Sequence, residues 1–141
     1  MSEKIYELVI NSKVEEIRRV EVFIKGIADT HDFPEDFIYN LMLVVTEAIN
    51  NAVIHGNRKD EAKKAILKCT VQRKQEHDLL VVEVKDEGQG FDLGELPDPL
   101  AKENLLKSSG RGVFLMKQFA KVEYDFSGSG TTVKLHLKLV R

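Results

Sequence analysis

The stretch Leu41–Gly56, LMLVVTEAINNAVIHG, sets Glu47, Asn50, Asn51 and His55 into an otherwise largely apolar run. On a helix at about 100° per residue, Asn51 lies about 40° from Glu47 and His55 about 80°, with Asn50 flanking on the other side. The wall centred on Val45, Ile49 and Val53 is wholly apolar. One face thus carries a carboxylate, two amides and an imidazole, and burying a carboxylate without a partner is costly. Taken alone, the helix fits a ligand-lined cavity and a solvated surface stripe equally well.

Three further features bear on that choice. In Asp78–Asp86 the row Leu80, Val82, Val84, Asp86 is apolar until its last member, whereas the alternate row carries Glu83 and Lys85. Strand alternation therefore points Asp86 inward at the edge of the core. Gly88 and Gly90 follow, in DEGQGF, and permit a tight turn with close backbone approach to a ligand; ordinary turn punctuation is the competing reading. Ser108-Ser109-Gly110-Arg111-Gly112 precedes a third apolar periodic segment. Free N–H groups at a helix start form a ready phosphate site, and Arg111 can add charge-assisted hydrogen bonds. A capped helix start with a solvated arginine fits the same residues. In the last strand Thr131 shares the inward face with Val133, Leu135, Leu137 and Leu139; a core threonine bonded to nearby backbone is its plainer reading. The chain has no GxxxxGK[ST], and its four histidines lack metal-ligand spacing.

These residues need elements to hold them. Lys4–Ile10 alternates as a strand with Tyr6, Leu8 and Ile10 on one side. Asn11 or Ser12 is positioned to cap a helix from about Lys13 to His31, which Asp32-Phe33-Pro34 breaks. Pro34-Glu35-Asp36 suits the first turn of the second helix, which Gly56 ends. Asn57–Lys64 reads as a polar connector. Ala65–Arg73 and Asp78–Asp86 read as an antiparallel hairpin, with Cys69 a small core residue. Glu87–Ser109 reads as a long irregular loop, either a functional lid or disordered, Gly110–Lys121 as a third helix, and Val122–Phe126 with Thr131–Val140 as a final hairpin.

With 141 residues, 43% hydrophobic and 31% charged, the chain is expected to form one domain, 1–141, with a real core. The predicted fold class is α+β: a two-layer α/β sandwich, its sheet mixed but mostly antiparallel, with helices on one face. A net charge of −2 gives no electrostatic case for nucleic acid or an anionic membrane. The N-terminus lacks a signal-peptide core, and no apolar run approaches the roughly 20 residues that span a bilayer. The single cysteine excludes an internal disulfide and fits a cytoplasmic location.

In order and spacing, TEAINNAVIHG, DEGQGF, GRG with its following helix, and GTTVKL resemble the four boxes of the gyrase–Hsp90–histidine kinase–mismatch-repair (GHKL) ATPase superfamily. That resemblance, over about Lys4–Leu139, implies the Bergerat ATP-binding fold. EAINNAVIHGN and GRGVFLMKQFAKVEY are most similar to the anti-sigma factor serine/threonine kinases within it. The resemblance implies ATP and Mg²⁺, capture of a sigma factor, and phosphorylation of a STAS-like anti-sigma factor antagonist on Ser or Thr. It implies Glu47 as general base, Asn51 as Mg²⁺ ligand and Asp86 as acceptor of the adenine amino group. Gly88 and Gly90 would line the adenine pocket, Gly110, Arg111 and Gly112 would border the phosphates, and Thr131 would assist at the adenine. It further implies a homodimer. A nucleotide-gated partner-binding switch without kinase activity, or an ATPase or histidine-kinase catalytic piece, are the alternative functions.

Overall fold

The computed structural model describes residues 2–58, 60–88, 120–125 and 130–140. Strand β1 (Ser2–Asn11) leads through a 3₁₀ turn (Val14–Glu16) into α1 (Ile17–Thr30) and then α2 (Glu35–Asn51), which is extended by a π-helical turn (Ala52–Gly56). Strands β2 (Lys64–Arg73), β3 (His77–Asp86), β4 (Lys121–Asp125) and β5 (Thr132–Val140) complete a five-stranded sheet in the order β1-β2-β3-β5-β4. Every pairing among the described strands is antiparallel, so the parallel component of a mixed sheet is missing from them.

The period-two rows that pattern the sequence are the rows that bury. Ala65, Leu67, Cys69 and Val71 of β2, Leu80, Val82 and Val84 of β3, and Val133, Leu135, Leu137 and Leu139 of β5 form one apolar sheet face. Val20, Ile24, Ile27 and Ala28 of α1 and Leu41, Val44, Val45, Ala48 and Ile49 of α2 join the same core. Burial pushes the Cys69 thiol up to about 12, as befits an inert core residue. The register lays Glu7, Lys68, Glu83, Lys134 and Glu123 side by side across the other face. Lys134 Nζ lies 3.8 Å from Glu83. Alternating charge across neighbouring strands suits a face turned to water.

Several boundaries differ from expectation for identifiable reasons. Neither Asn11 nor Ser12 caps a helix: the 3₁₀ turn starts after Lys13 with no side-chain cap. The Ser12 hydroxyl donates instead to the Lys63 carbonyl at 2.7 Å, and Asn11 Oδ1 accepts from Lys64 Nζ at 2.9 Å. Tertiary partners win these side chains from the local backbone. Pro34 stands at the N-cap of α2, with Glu35 and Asp36 in its first turn beside the positive end of the helix dipole. The helix chain ends on Arg58, in the left-handed region at φ 53°. The expected third helix cannot reach Lys121, which begins β4; its other residues, and the expected lid, lie outside the described residues.

By length and composition Glu35–Ile54 is apolar enough to cross a membrane, which short apolar runs in the sequence do not foretell. Its apolar wall nevertheless packs into the core with Leu41, Val44, Val45 and Ile49 fully buried, as the central helix of a globular domain does. Replacing Ile49 with Ala should cost roughly 2–5 kcal/mol by opening a cavity between α2 and the sheet. Urea unfolding of the purified variant measures it.

Candidate functional site

The C-terminal end of α2 overlies the point where β3 ends and β5 begins. A narrow cleft there is lined by Ala48, Asn51 and Ala52 from the helix side and by Val84, Asp86, Tyr124, Thr131 and Val133 from the sheet side. Strand parity carries Asp86 to it: four residues of the same inward row precede it, Asp78 being the only other polar member. The ladder continues one step past the paired residues, the Asp86 N–H donating to the Thr131 carbonyl at 3.0 Å.

Asp86 is 1% exposed. Its Oδ1 accepts from the backbone N–H of Gly88 at 3.0 Å and of Thr131 at 3.1 Å. Burial raises the carboxyl above its ordinary pKa, and these two donors and the Lys63 charge offset that only in part. Oδ2 receives no hydrogen bond from the described residues. Three glycines make the carboxylate fit. A Cβ on Gly56 would collide with Asp86 Oδ2, one on Gly130 with the Asp86 carbonyl oxygen, and one on Gly88 with the Gly56 carbonyl oxygen. Gly56 and Gly88 thus let the helix end and the β3 exit touch backbone to backbone.

Opposite Asp86, the hydroxyl of Thr131 is buried and has no hydrogen-bond partner among the described residues. An orphaned hydroxyl and a carboxylate with an unused oxygen, in one cleft, suit a flat heterocycle bearing an amino donor. Asn51 is buried, and none of the described residues hydrogen-bonds its amide. One turn earlier on α2, Glu47 is half-buried, and desolvation alone pushes its carboxyl up to about 7. Its charge acts on Tyr124, whose pKa is raised by burial first and by Glu47 second. Glu47 therefore sits beside the cleft, on the Tyr124 side. Among the described residues no group of three or more His, Cys, Asp or Glu could hold a metal ion. A Mg²⁺ ion that keeps its waters and substrate phosphates needs only one or two protein ligands, so a single amide at Asn51 fits such an ion.

Of the residues singled out in the sequence, Asn51, Asp86 and Thr131 line the cleft, Gly88 packs at its edge and Glu47 flanks it. Asn50, a neighbour on the helix, does not line it. Gly90, Gly110, Arg111, Gly112 and the side chain of His55 lie outside the described residues. Gly56, Gly130, Tyr124, Ser12 and Asn57 also belong to the site's structure, although the sequence marks Gly56 only as a helix end and Ser12 only as a helix cap, and gives the other three no site role. Asn57 opens a stretch that looks like a polar connector, yet it is only 1% exposed.

The profile of the histidine kinase-like ATPase domain family matches residues 10–137. The chain is similar to the anti-sigma F factor of Lysinibacillus sphaericus, 34% identical over 113 residues, which is 77% of this chain and 72% of that one. It is 30% identical to the anti-sigma F factor of Oceanobacillus iheyensis over 86 residues, 60% of this chain and 56% of the relative, so that match spans little over half of the relative's length. Likeness to the serine-protein kinase RsbW of Bacillus subtilis is lower, at 26%, but runs over 135 residues, 92% of this chain and 82% of that one.

The raised Glu47 pKa has a consequence for stability. The unfolded chain ionises this carboxyl near 4.5 and the folded chain near 7. Between those values the native state holds the extra proton, so this group's contribution to stability is full below about pH 4.5 and falls as pH rises to about 7. Urea unfolding should therefore show wild type losing stability relative to Glu47→Gln across that window. The carboxyl ¹³C resonance of Glu47 should titrate near 7.

Proposed function

Because the chain belongs to the histidine kinase-like ATPase domain family, and within it to the anti-sigma factor kinases, we propose that it is an ATP-dependent anti-sigma factor. In this reading it captures a sigma factor and phosphorylates a STAS-like antagonist on Ser or Thr. The observation that carries the reading is the cleft itself. On the sheet side it has the Thr131 hydroxyl, without a partner among the described residues, and the buried Asp86 carboxylate; on the helix side it has Asn51, with Glu47 one turn away beside the cleft.

The roles divide between the two walls. Asp86 accepts a hydrogen bond from the adenine amino group, Thr131 supplies a hydroxyl beside the base, and Gly88 keeps the backbone close enough for both. The sequence resemblance assigns Gly90 to that same pocket, and Gly110, Arg111 and Gly112 to the phosphates. Asn51 offers its amide oxygen to Mg²⁺, which when bound neutralises charge on the phosphate oxygens. Glu47, in its ionised form, takes the proton of the acceptor hydroxyl. The acceptor oxygen then bonds to the γ-phosphorus, the bond from that phosphorus to the β–γ bridging oxygen breaks, and ADP leaves with the electron pair. A carboxyl poised near neutrality is a better base for an alcohol than an ordinary glutamate. Few other parts are required, since phosphoryl transfer rests mainly on positioning and charge neutralisation. The reading includes a homodimer, on the strength of the sequence resemblance, and a cytoplasmic location, on that of the single cysteine.

Incubation with Mg-ATP and the antagonist, followed by phosphopeptide mapping, tests this directly. Wild type should label the antagonist on Ser or Thr. Glu47→Gln should lower the rate by about 100-fold or more while ATP affinity, measured by calorimetry, changes little. Stable ATP binding and sigma factor capture with no transfer to any acceptor would instead establish a nucleotide-gated switch.

A further inference from the structure

The Asn57 side chain is tied to three other segments of the chain. Its Nδ2 donates to Ser12 Oγ at 2.7 Å, after β1, and to the Lys64 carbonyl at 2.9 Å, at the start of β2. Its Oδ1 accepts from the Glu87 N–H at 2.8 Å, directly after Asp86. Its own N–H donates to the Ala52 carbonyl at 2.7 Å and closes the π turn. The Ser12 hydroxyl passes the chain on to the Lys63 carbonyl at 2.7 Å. On the same side the Glu87 carboxylate accepts from the Lys64 N–H. Asn57 and Ser12 are 1% and 2% exposed, so the polar atoms of these two side chains depend on their protein partners.

The geometry matters for Asp86. The helix end and the β3 exit meet through two glycines, Gly56 and Gly88, where neither has a side chain to fix the lateral position. Asn57, the first residue past the π turn, supplies a side-chain hydrogen bond from the helix end to the β3 exit. The Asp86 carboxylate lies between those glycines, with Gly56 against Oδ2. We propose that Asn57 is a positioning residue, which with Ser12 holds the Asp86 carboxylate against the helix end and thereby sets selectivity for the 6-amino group of adenine.

The inference rests on the reading of Asp86 as the adenine acceptor, and the experiment separates the two. Calorimetric Kd values for ATP and for inosine triphosphate, which carries a 6-oxo group in place of the amino group, are measured on the full chain. Wild type should prefer ATP. Asn57→Ala should weaken ATP about tenfold, the scale of one misplaced charge-assisted hydrogen bond, and leave inosine triphosphate within about twofold. Ser12→Ala should move ATP affinity the same way by about threefold, and it decides the matter if circular dichroism shows Asn57→Ala unfolded. Equal weakening of both nucleotides, as a general loss of structure gives, or weakening of neither, overturns the proposal. Asp86→Asn is the control. If its ATP preference stays at the wild-type value, the adenine reading fails. If its preference collapses while Asn57→Ala and Ser12→Ala keep theirs, only the positioning role is lost.

Discussion

A carboxylate placed at the end of an apolar strand row must be compensated where it stands, and the compensation of Asp86 shapes its surroundings. Two backbone N–H groups converge on one oxygen. To deliver them, the chain must turn immediately after Asp86 and arrive at Thr131 in close apposition. The close approach of Thr131 requires glycine at Gly130, Gly88 leaves room for the Gly56 carbonyl, and Gly56 lets the helix end close on the other oxygen. Charge-assisted bonds of this kind are roughly twice as strong as neutral ones, yet here they fall short of full desolvation, since the carboxyl stays raised. A carboxylate already burdened by burial gains from a ligand that brings one more donor.

Helix α2 answers a different conflict. Its apolar wall must bury against the sheet, while Asn51 must face the cleft and Glu47 its flank. A helix of regular pitch satisfies both, because the two faces lie on separate sides of one cylinder. The difficulty comes at the end, where the chain must leave the helix beside Asp86. The π turn at Ala52–Gly56 widens the last turn there, and a buried asparagine rather than a solvated cap closes it. π turns inserted in α-helices are frequent at functional sites.

The two walls carry separable chemistry. The sheet edge offers an acceptor and a hydroxyl suited to a base, whereas the helix offers an amide and a carboxyl suited to phosphate chemistry. Among the described residues Glu47 has no ion pair, and desolvation alone raises its carboxyl. Its proton affinity therefore depends on how much water reaches the α2 face, which links base strength to whatever covers that face.

Sequence alone determined the strand faces. Where one row of a strand is apolar, a period of two leaves no freedom about the direction of its last member, so Asp86 and Thr131 were legible as inward-facing. The 3.6-residue period did the same for Glu47 and Asn51 on one side of α2. The order and spacing of the four boxes identified the family, because no single box is specific but their succession is. The order of strands in the sheet, the π turn and the roles of Ser12 and Asn57 were not legible. Both are polar residues in polar surroundings with no periodicity to mark them. Ser12 and Asn57 are 45 residues apart, and Asn57 and Glu87 30 apart. Their burial exists only once three distant segments meet, and it is the tertiary structure that turns a helix cap and a connector residue into the fastening beside Asp86.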